Sequence, residues 1–214
     1  QFLSHVLQED TRLCVCEVED KAPIVGGNIY IAPANYHVLV ERGHLALSTE
    51  EPVSFSRPSI DVTFISAADA YRGGAVGIVL TGANSDGARG LKRIADRGGV
   101  AIVQRPDTAE SAVMPNAALS FVPTAHVLTL AGIASFLGSL TVVLLYVVLI
   151  VRGYRLAAVA RDGFAGLMVI GIVTALFFHI MVNMLMTVGW APVTGIPLPF
   201  LSYGGTALVV NCIQ

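Results

Sequence analysis

Charged residues almost disappear from the last third of the chain. Residues 1–137 carry ten Lys/Arg and fourteen Asp/Glu. From Gly138 to Gln214 the only charged side chains are those of Arg152, Arg155, Arg161 and Asp162. Such a run cannot stay in water, because removing each large apolar side chain from water is worth roughly 1.5–3 kcal/mol. The sequence therefore predicts a soluble domain over residues 1–137 and a membrane domain over residues 138–214.

Two apolar runs in the second part are candidate membrane helices. Phe136 to Val151 spans about 24 Å as a helix, slightly short for a ~30 Å hydrocarbon core unless "VLTLAGIAS" joins it. Phe164 to Val188 spans about 37 Å, which is sufficient. Between them "RGYRLAAVARD" holds three arginines, which predicts a cytoplasmic loop. A third span begins near Thr206.

The first part has the pattern of an α/β protein. "LCVCEVED" alternates as a strand does, and "GGNIYIAPANYHVLVERGHLALS" predicts short strands separated by turns. "SIDVTFISAADAYR" places apolar residues at helical spacing. In "GAVGIVLTGANSDGARGLKRIADRGGVAIVQ", the apolar run Ala75 to Leu80 predicts a strand buried on both faces. A helix around Leu91 follows, and then a strand from Val100 to Val103. This βαβ unit predicts a parallel sheet.

Asp86 follows the first strand of that unit, at the edge where open α/β sheets carry their chemistry. Taken alone, an Asp-Gly before a helix is also an ordinary turn or N-cap. Further motifs decide between the two. "YIAPANYHVLV", "SRPSIDVTFISAA", "GIVLTGANSDGARGL" and "VMPNAA" occur in this order, and residues 1–137 thereby resemble the catalytic domain of the chemotaxis protein-glutamate methylesterases, the CheB family.

The resemblance implies an incomplete Rossmann-like parallel-sheet domain that hydrolyses carboxylic esters on methylated chemoreceptors in the cytoplasm. It also implies that Asp86 orients the histidine of a Ser-His-Asp triad. Backbone N–H groups of Ala83 and Asn84 would hold the oxyanion. The family usually has Met-Gly at these two positions, but Ala83 still supplies a backbone amide.

The serine and the histidine of that triad are not found. The family carries them in segments that precede the first residue here, and the chain contains no G-x-S-x-G. His5, His37 and His44 are poor substitutes. His37 is a motif position with two interpretations, a substrate-binding residue at the site or an ordinary structural residue of the "PANYH" turn, and the second is favoured. Arg57 either contacts an acidic substrate or pairs with a local carboxylate. We therefore expect no esterase activity from this chain.

The sequence offers nothing for other kinds of ligand. Cys14 and Cys16 form a lone C-x-C without further ligands at metal spacing, so we interpret them as strand positions. We expect no metal and no cofactor. Neither part has a basic patch, and we expect no nucleic-acid partner.

The charge-poor part resembles a second family. "NMLMTVGWAPVTGIPLPFLSYGGTA" is similar to the signature of the SEDS glycosyltransferases, RodA and FtsW, and the likeness extends back to about Gly138. The resemblance implies polymerisation of lipid II in the bacterial inner membrane beside a class B penicillin-binding protein. The family's catalytic aspartate is absent around "PTAHVLTLAG". The signature positions are Asn183, Pro192, Gly195, Pro197, Pro199, Ser202, Gly204 and Gly205.

The two resemblances imply opposite topologies. If the arginine loop is cytoplasmic, the first helix runs inward and the methylesterase-like domain lies outside, away from its substrate. The chain begins with Gln rather than Met, and Gln214 falls inside an apolar run. We therefore expect a fusion of two truncated segments joined near Phe136. Three functions stay open: a methylesterase with a membrane tail, a fragment of a RodA/FtsW-type glycosyltransferase, and a membrane-tethered binding module.

Overall fold

The chain divides into two compact units, Gln1–Ser135 and Phe136–Gln214. The computed structural model describes residues 2–9, 11–159 and 163–187. Eight strands and the first four helices lie in the first unit, and two long helices dominate the described part of the second.

The first half of the soluble unit is built from short strands. Helix α1 (Phe2–Glu9) leads into β1 (Cys14–Glu17), which pairs in parallel with β3 (Asn28–Ile31). Strands β4 (His37–Glu41) and β5 (His44–Ser48) form an antiparallel hairpin, and β2 (Ala22–Pro23) extends it through β5. The inward side chains of this region, which alternate along the strands, form a small apolar core of Val18, Val38 and Leu45.

The second half contains the predicted βαβ unit. Helix α2 (Ile60–Tyr71) precedes β6 (Val76–Val79), α3 (Ala88–Asp96) and β7 (Val100–Gln104). Helix α4 (Val113–Phe121) and β8 (His126–Leu128) follow. The three strands pair in parallel in the order β6-β7-β8, which confirms the predicted α/β class with parallel sheets. The main core packs helices α3 and α4 on this sheet, through Val79, Leu91, Ala101, Val103, Met114, Ala118 and Val122.

One prediction about this sheet is wrong. The run Ala75–Leu80 is not buried on both faces, because Val76 is 42% exposed and Leu80 is 41% exposed. The reason is topological: among the described strands β6 pairs with β7 alone, so it is an edge strand of their three-stranded sheet. The central strand β7 does have the predicted burial, with Ile102 and Val103 fully enclosed.

The second unit begins inside a long helix. Helix α5 (Leu130–Val159) runs through the predicted boundary between residues 137 and 138. It takes in Leu130–Ser135, which gives the first apolar run the length it lacked. Arg152 and Arg155 lie within this helix, so they are not in a loop as predicted. Among the described residues, α5 is the one helix long and apolar enough to cross a membrane by length and composition.

Helix α6 (Gly163–Thr187) packs closely against α5. A Cβ atom on Gly153 would lie 2.4 Å from Cγ2 of Val173, so the two backbones approach there as only glycine permits. The Tyr154 hydroxyl lies 3.3 Å from Oγ1 of Thr174. A shorter apolar stretch, Gly166–Val182, lies within α6. Asn183 is in α6, whereas the other signature positions, from Pro192 to Gly205, and the third predicted span lie outside the described residues.

Candidate functional site

Asp86 lies in the loop between β6 and α3, and only 2% of its surface is exposed. Its Oδ1 accepts hydrogen bonds from the Ser59 hydroxyl (2.7 Å) and from the Asp61 N–H (3.0 Å). Its Oδ2 accepts one from the Ile60 N–H (2.7 Å). The N–H groups of Ile60 and Asp61 belong to the first turn of α2, where backbone donors have no partner within the helix, and Ser59 is the N-cap residue. The carboxylate therefore caps α2 from another part of the chain, where the helix dipole favours negative charge.

Asp61 makes the reciprocal contact with α3. This residue, in the first turn of α2, is also buried. Its Oδ1 accepts from the Gly90 N–H at 2.7 Å, and its Oδ2 accepts from Nε of Arg89 at 3.2 Å. Asp86, just before α3, therefore accepts hydrogen bonds from the start of α2, and Asp61, at the start of α2, accepts one from α3.

The sequence analysis missed Ser59 and Asp61. Serine at a helix start with an acidic residue in the first turn is a local N-terminus signal, which could have singled them out. Their bonds to Asp86 join residues more than twenty positions apart, and no local pattern predicts such a pairing.

The loop just before Asp86 is exposed. Asn84 holds it, because its Oδ1 accepts from the Asp86 N–H at 3.1 Å and its Nδ2 donates to Oγ of Ser56 at 3.5 Å. Within the part of the chain that the structure describes, no group accepts from the backbone N–H groups of Ala83, Asn84 or Ser85. Clustered backbone donors facing solvent are what an oxyanion requires.

The start of this loop is clamped from two sides. The buried Gln104 accepts from the Thr81 N–H at 2.9 Å and donates to the Thr108 carbonyl at 3.0 Å. The Met114 N–H donates to the Gly82 carbonyl at 3.0 Å. A Cβ on Gly82 would lie 2.5 Å from Cε and 3.1 Å from Cβ of Met114, so the Met114 side chain packs directly on this glycine. Gln104, the last residue of β7, is a further site residue that the sequence analysis missed.

His37 lies beside the site but is occupied structurally. It is 1% exposed, and its Nδ1 accepts a hydrogen bond from the Ser59 N–H at 3.2 Å. A ring nitrogen that accepts carries no proton, so Nε2 is protonated and donates to the Glu51 carbonyl at 3.1 Å. Both nitrogens of a neutral ring are thereby used.

Ser59, His37 and Asp86 are adjacent, yet they are not connected as a catalytic triad. In a triad the serine hydroxyl donates to the histidine and the histidine donates to the carboxylate. Here the Ser59 hydroxyl donates straight to Asp86, and the hydrogen bond between Ser59 and His37 is made by the Ser59 backbone N–H, not by its hydroxyl. Ser59 is also buried, so its hydroxyl does not face a substrate.

Arg57 does not pair with a local carboxylate in the contacts that the structure gives it, and its contact to an acidic substrate stays a prediction. Its Nη1 donates to the carbonyls of Thr49 (3.0 Å) and Glu50 (3.1 Å). The half-buried guanidinium therefore braces the loop between β5 and α2 and pairs with no carboxylate among these contacts.

A buried carboxylate and exposed backbone donors lie at the carboxyl end of a parallel strand, the edge at which open α/β sheets carry their sites. The family model described as CheB methylesterase matches residues 1–137. The chain belongs to the CheB methylesterase family. Residues 111–214 match the FtsW/RodA/SpoVE family model, described as cell cycle protein. The chain thus joins a methylesterase-family part to an FtsW/RodA-family part, as predicted, and the two matches overlap over residues 111–137.

Individual proteins agree with the first match. A Leptospira interrogans relative, named for protein-glutamate methylesterase/protein-glutamine glutaminase activity, is 46% identical over 60% of this chain and 67% of its own length. A Rhodospirillum rubrum protein-glutamate methylesterase/protein-glutamine glutaminase is 42% identical over 56% of this chain, but over only 32% of its own. The crystal structure of the Thermotoga maritima CheB methylesterase catalytic domain superposes with a TM-score of 0.58 at 26% identity, covering 60% of this chain and 70% of that one.

Proposed function

We propose that residues 1–137 supply the carboxylate and the oxyanion loop of a protein-glutamate methylesterase/protein-glutamine glutaminase site that acts on methylated chemoreceptors. The carrying observation is the state of Asp86. Two donors occupy its Oδ1 and one occupies its Oδ2. A carboxylate oxygen accepts two hydrogen bonds, so Oδ2 keeps one position for an imidazole N–H. The Ala83–Ser85 backbone amides lie in the same loop, where they support an oxyanion role.

Ester hydrolysis at this site needs a serine and a histidine that Ser59 and His37 do not provide. The nucleophile must present an exposed hydroxyl to the ester carbonyl, and the base must take the proton of that hydroxyl. We infer that both groups come from a segment outside residues 1–137 that docks against the Asp86 loop.

We expect the chain alone to release methanol from a methyl-esterified chemoreceptor fragment no faster than buffer does. Adding the part of the Leptospira relative that lies outside its match to this chain restores hydrolysis. The added part alone is the control and stays inactive. Hydrolysis by the unaided chain that disappears in His37→Gln would contradict the proposal, because His37 and Ser59 would then form a working catalytic pair.

For localisation we propose the bacterial inner membrane, with the methylesterase-like unit in the cytoplasm. Helix α5 and the FtsW/RodA match support a membrane part. The cytoplasmic side follows from the proposed substrate.

Cys14 is exposed and serves as a reporter of that topology. In a Cys16→Ser/Cys212→Ser variant, a membrane-impermeant maleimide should leave Cys14 unmodified in intact spheroplasts and modify it after lysis. Labelling in intact spheroplasts would contradict this proposal and place the methylesterase-like unit outside. That is the topology in which the arginines between the two apolar runs are cytoplasmic.

A second candidate is a fragment of a RodA/FtsW-type glycosyltransferase that acts on lipid II beside a class B penicillin-binding protein. The family match over residues 111–214 favours it. Polymerisation of labelled lipid II by the chain would support this candidate over the first.

A further inference from the structure

A two-residue turn stands beside the Asp86 loop. Val53 and Ser56 exchange both backbone hydrogen bonds, at 2.9 and 3.1 Å, and Ser54 and Phe55 form the tip. Both tip residues have positive φ, 52° for Ser54 and 63° for Phe55. This is the conformation of a type I′ turn, in which glycine and asparagine are the usual residues. A phenylalanine there is strained, and such strain concentrates at binding and active sites.

The Phe55 side chain is completely exposed. Enclosing a phenylalanine side chain is favourable because it removes apolar surface from water, and this domain gains none of that stabilisation. Isolated exposed apolar residues are common, so exposure alone indicates little. The position of the turn gives it meaning.

Side-chain hydrogen bonds connect the turn to the Asp86 loop. Ser56 accepts from Asn84, whose carbonyl oxygen holds the Asp86 N–H. Three residues further along, Ser59 donates to Asp86 itself.

We propose that Phe55 is a docking residue that inserts into an apolar patch on the substrate protein, next to the glutamate that is modified. The proposal rests on the proposed function. A glutamyl ester side chain is small and offers few contacts. A site that acts on it within a protein must therefore also bind the protein surface around that side chain. Exposed aromatic residues dominate the energy of such contacts.

The charge around the turn favours a protein over a lipid surface. Counting Arg57, which follows the turn, the charge beside it is still negative, because two exposed acidic residues, Glu50 and Glu51, lie just ahead of it. Their carboxylates would be repelled by anionic lipid headgroups, whereas an apolar protein patch with basic or neutral neighbours accommodates them.

The test measures binding, which does not need the missing catalytic groups. The detergent-solubilised full chain is titrated into a fluorescently labelled, methylated chemoreceptor fragment, and anisotropy gives the Kd. We expect Phe55→Ala to weaken binding about tenfold and Phe55→Tyr to stay within about threefold of the wild type. The side chain contacts nothing in the domain, so its removal leaves the fold intact.

Phe121→Ala is the matched control. Phe121 is a partly exposed phenylalanine at the C-terminal end of α4, and its variant should bind like the wild type. Wild-type binding that Phe55→Ala does not weaken overturns the docking role and leaves the proposed function standing. Absence of wild-type binding overturns both. Phe55-dependent binding to vesicles of anionic lipid, without binding to the fragment, would assign the turn to the membrane and also overturn the proposal.

Discussion

Replacing Asp86 by asparagine should release the start of α2 and lower the free energy of unfolding of the soluble unit by about 3 kcal/mol. Three donors converge on the carboxylate: the Ser59 hydroxyl and the N–H groups of Ile60 and Asp61. An amide accepts through its oxygen only. Its NH₂ group would face at least one of these donors, and each buried donor left without an acceptor costs about 1–3 kcal/mol.

Amide hydrogen exchange of the full chain in detergent measures this effect locally. A loss of about 3 kcal/mol makes exchange in Ile60–Tyr71 faster by about two orders of magnitude where exchange follows unfolding of the unit. The matched control is Asp96→Asn. Asp96 is exposed and pairs with Lys92 at 3.1 Å, one helical turn away, and such a pair is worth about 0.2–0.5 kcal/mol.

A small effect of Asp86→Asn, comparable to that of Asp96→Asn, would mean that the start of α2 does not depend on this carboxylate. Asp86 would then be free to serve a histidine but would lack a fixed position. The expected large effect instead means that its orientation is built into the fold, which is what a triad carboxylate needs.

The sequence predicts the βαβ unit well because its signals are local. A β-branched run, a glycine-rich turn and a glycine-terminated helix lie within thirty residues, and the structure has β6, α3 and β7 in parallel order. The placement of Asp86 after β6 follows from the same pattern. The exposed face of β6 does not, because burial depends on how many strands pair beside it.

The residues that hold Asp86 could not be predicted, since they act across long stretches of chain. Ser59 looks like an ordinary helix start, and His37 looks like a turn residue. Their roles arise only when α2 is packed beside the Asp86 loop and β4. At the predicted domain boundary, by contrast, the local sequence gives no sign of a change in structure. Nothing in "ASFLGSL" breaks a helix, so α5 continues through a point at which the family resemblance changes.

Replacing Gly87 by alanine should destabilise the soluble unit by about 3 kcal/mol, for two separable reasons. Gly87, the N-cap of α3, has φ 91°, where a residue with a Cβ loses roughly 1–2 kcal/mol. That Cβ would also lie 2.8 Å from Cγ2 of Ile60. The Ile60 side chain would have to move to make room, and overpacking of this kind adds about 1–3 kcal/mol.

Gly43→Ala separates the two causes. Gly43, in the β4–β5 turn, has a similar φ of 86°, but a Cβ there meets nothing within 4 Å. Its alanine variant should lose only the backbone contribution, roughly 1–2 kcal/mol. Pulse proteolysis of both variants in urea gives the two free energies, and their difference measures the contact with Ile60. Equal losses in the two variants would show that Ile60 and the α2 start move freely, and would remove the steric reason for glycine after Asp86. A larger loss in Gly87→Ala would show that Gly87 is needed for the contact between the starts of α2 and α3. Of the two added methyl groups, only the one at position 87 meets α2, the helix whose start Asp86 caps.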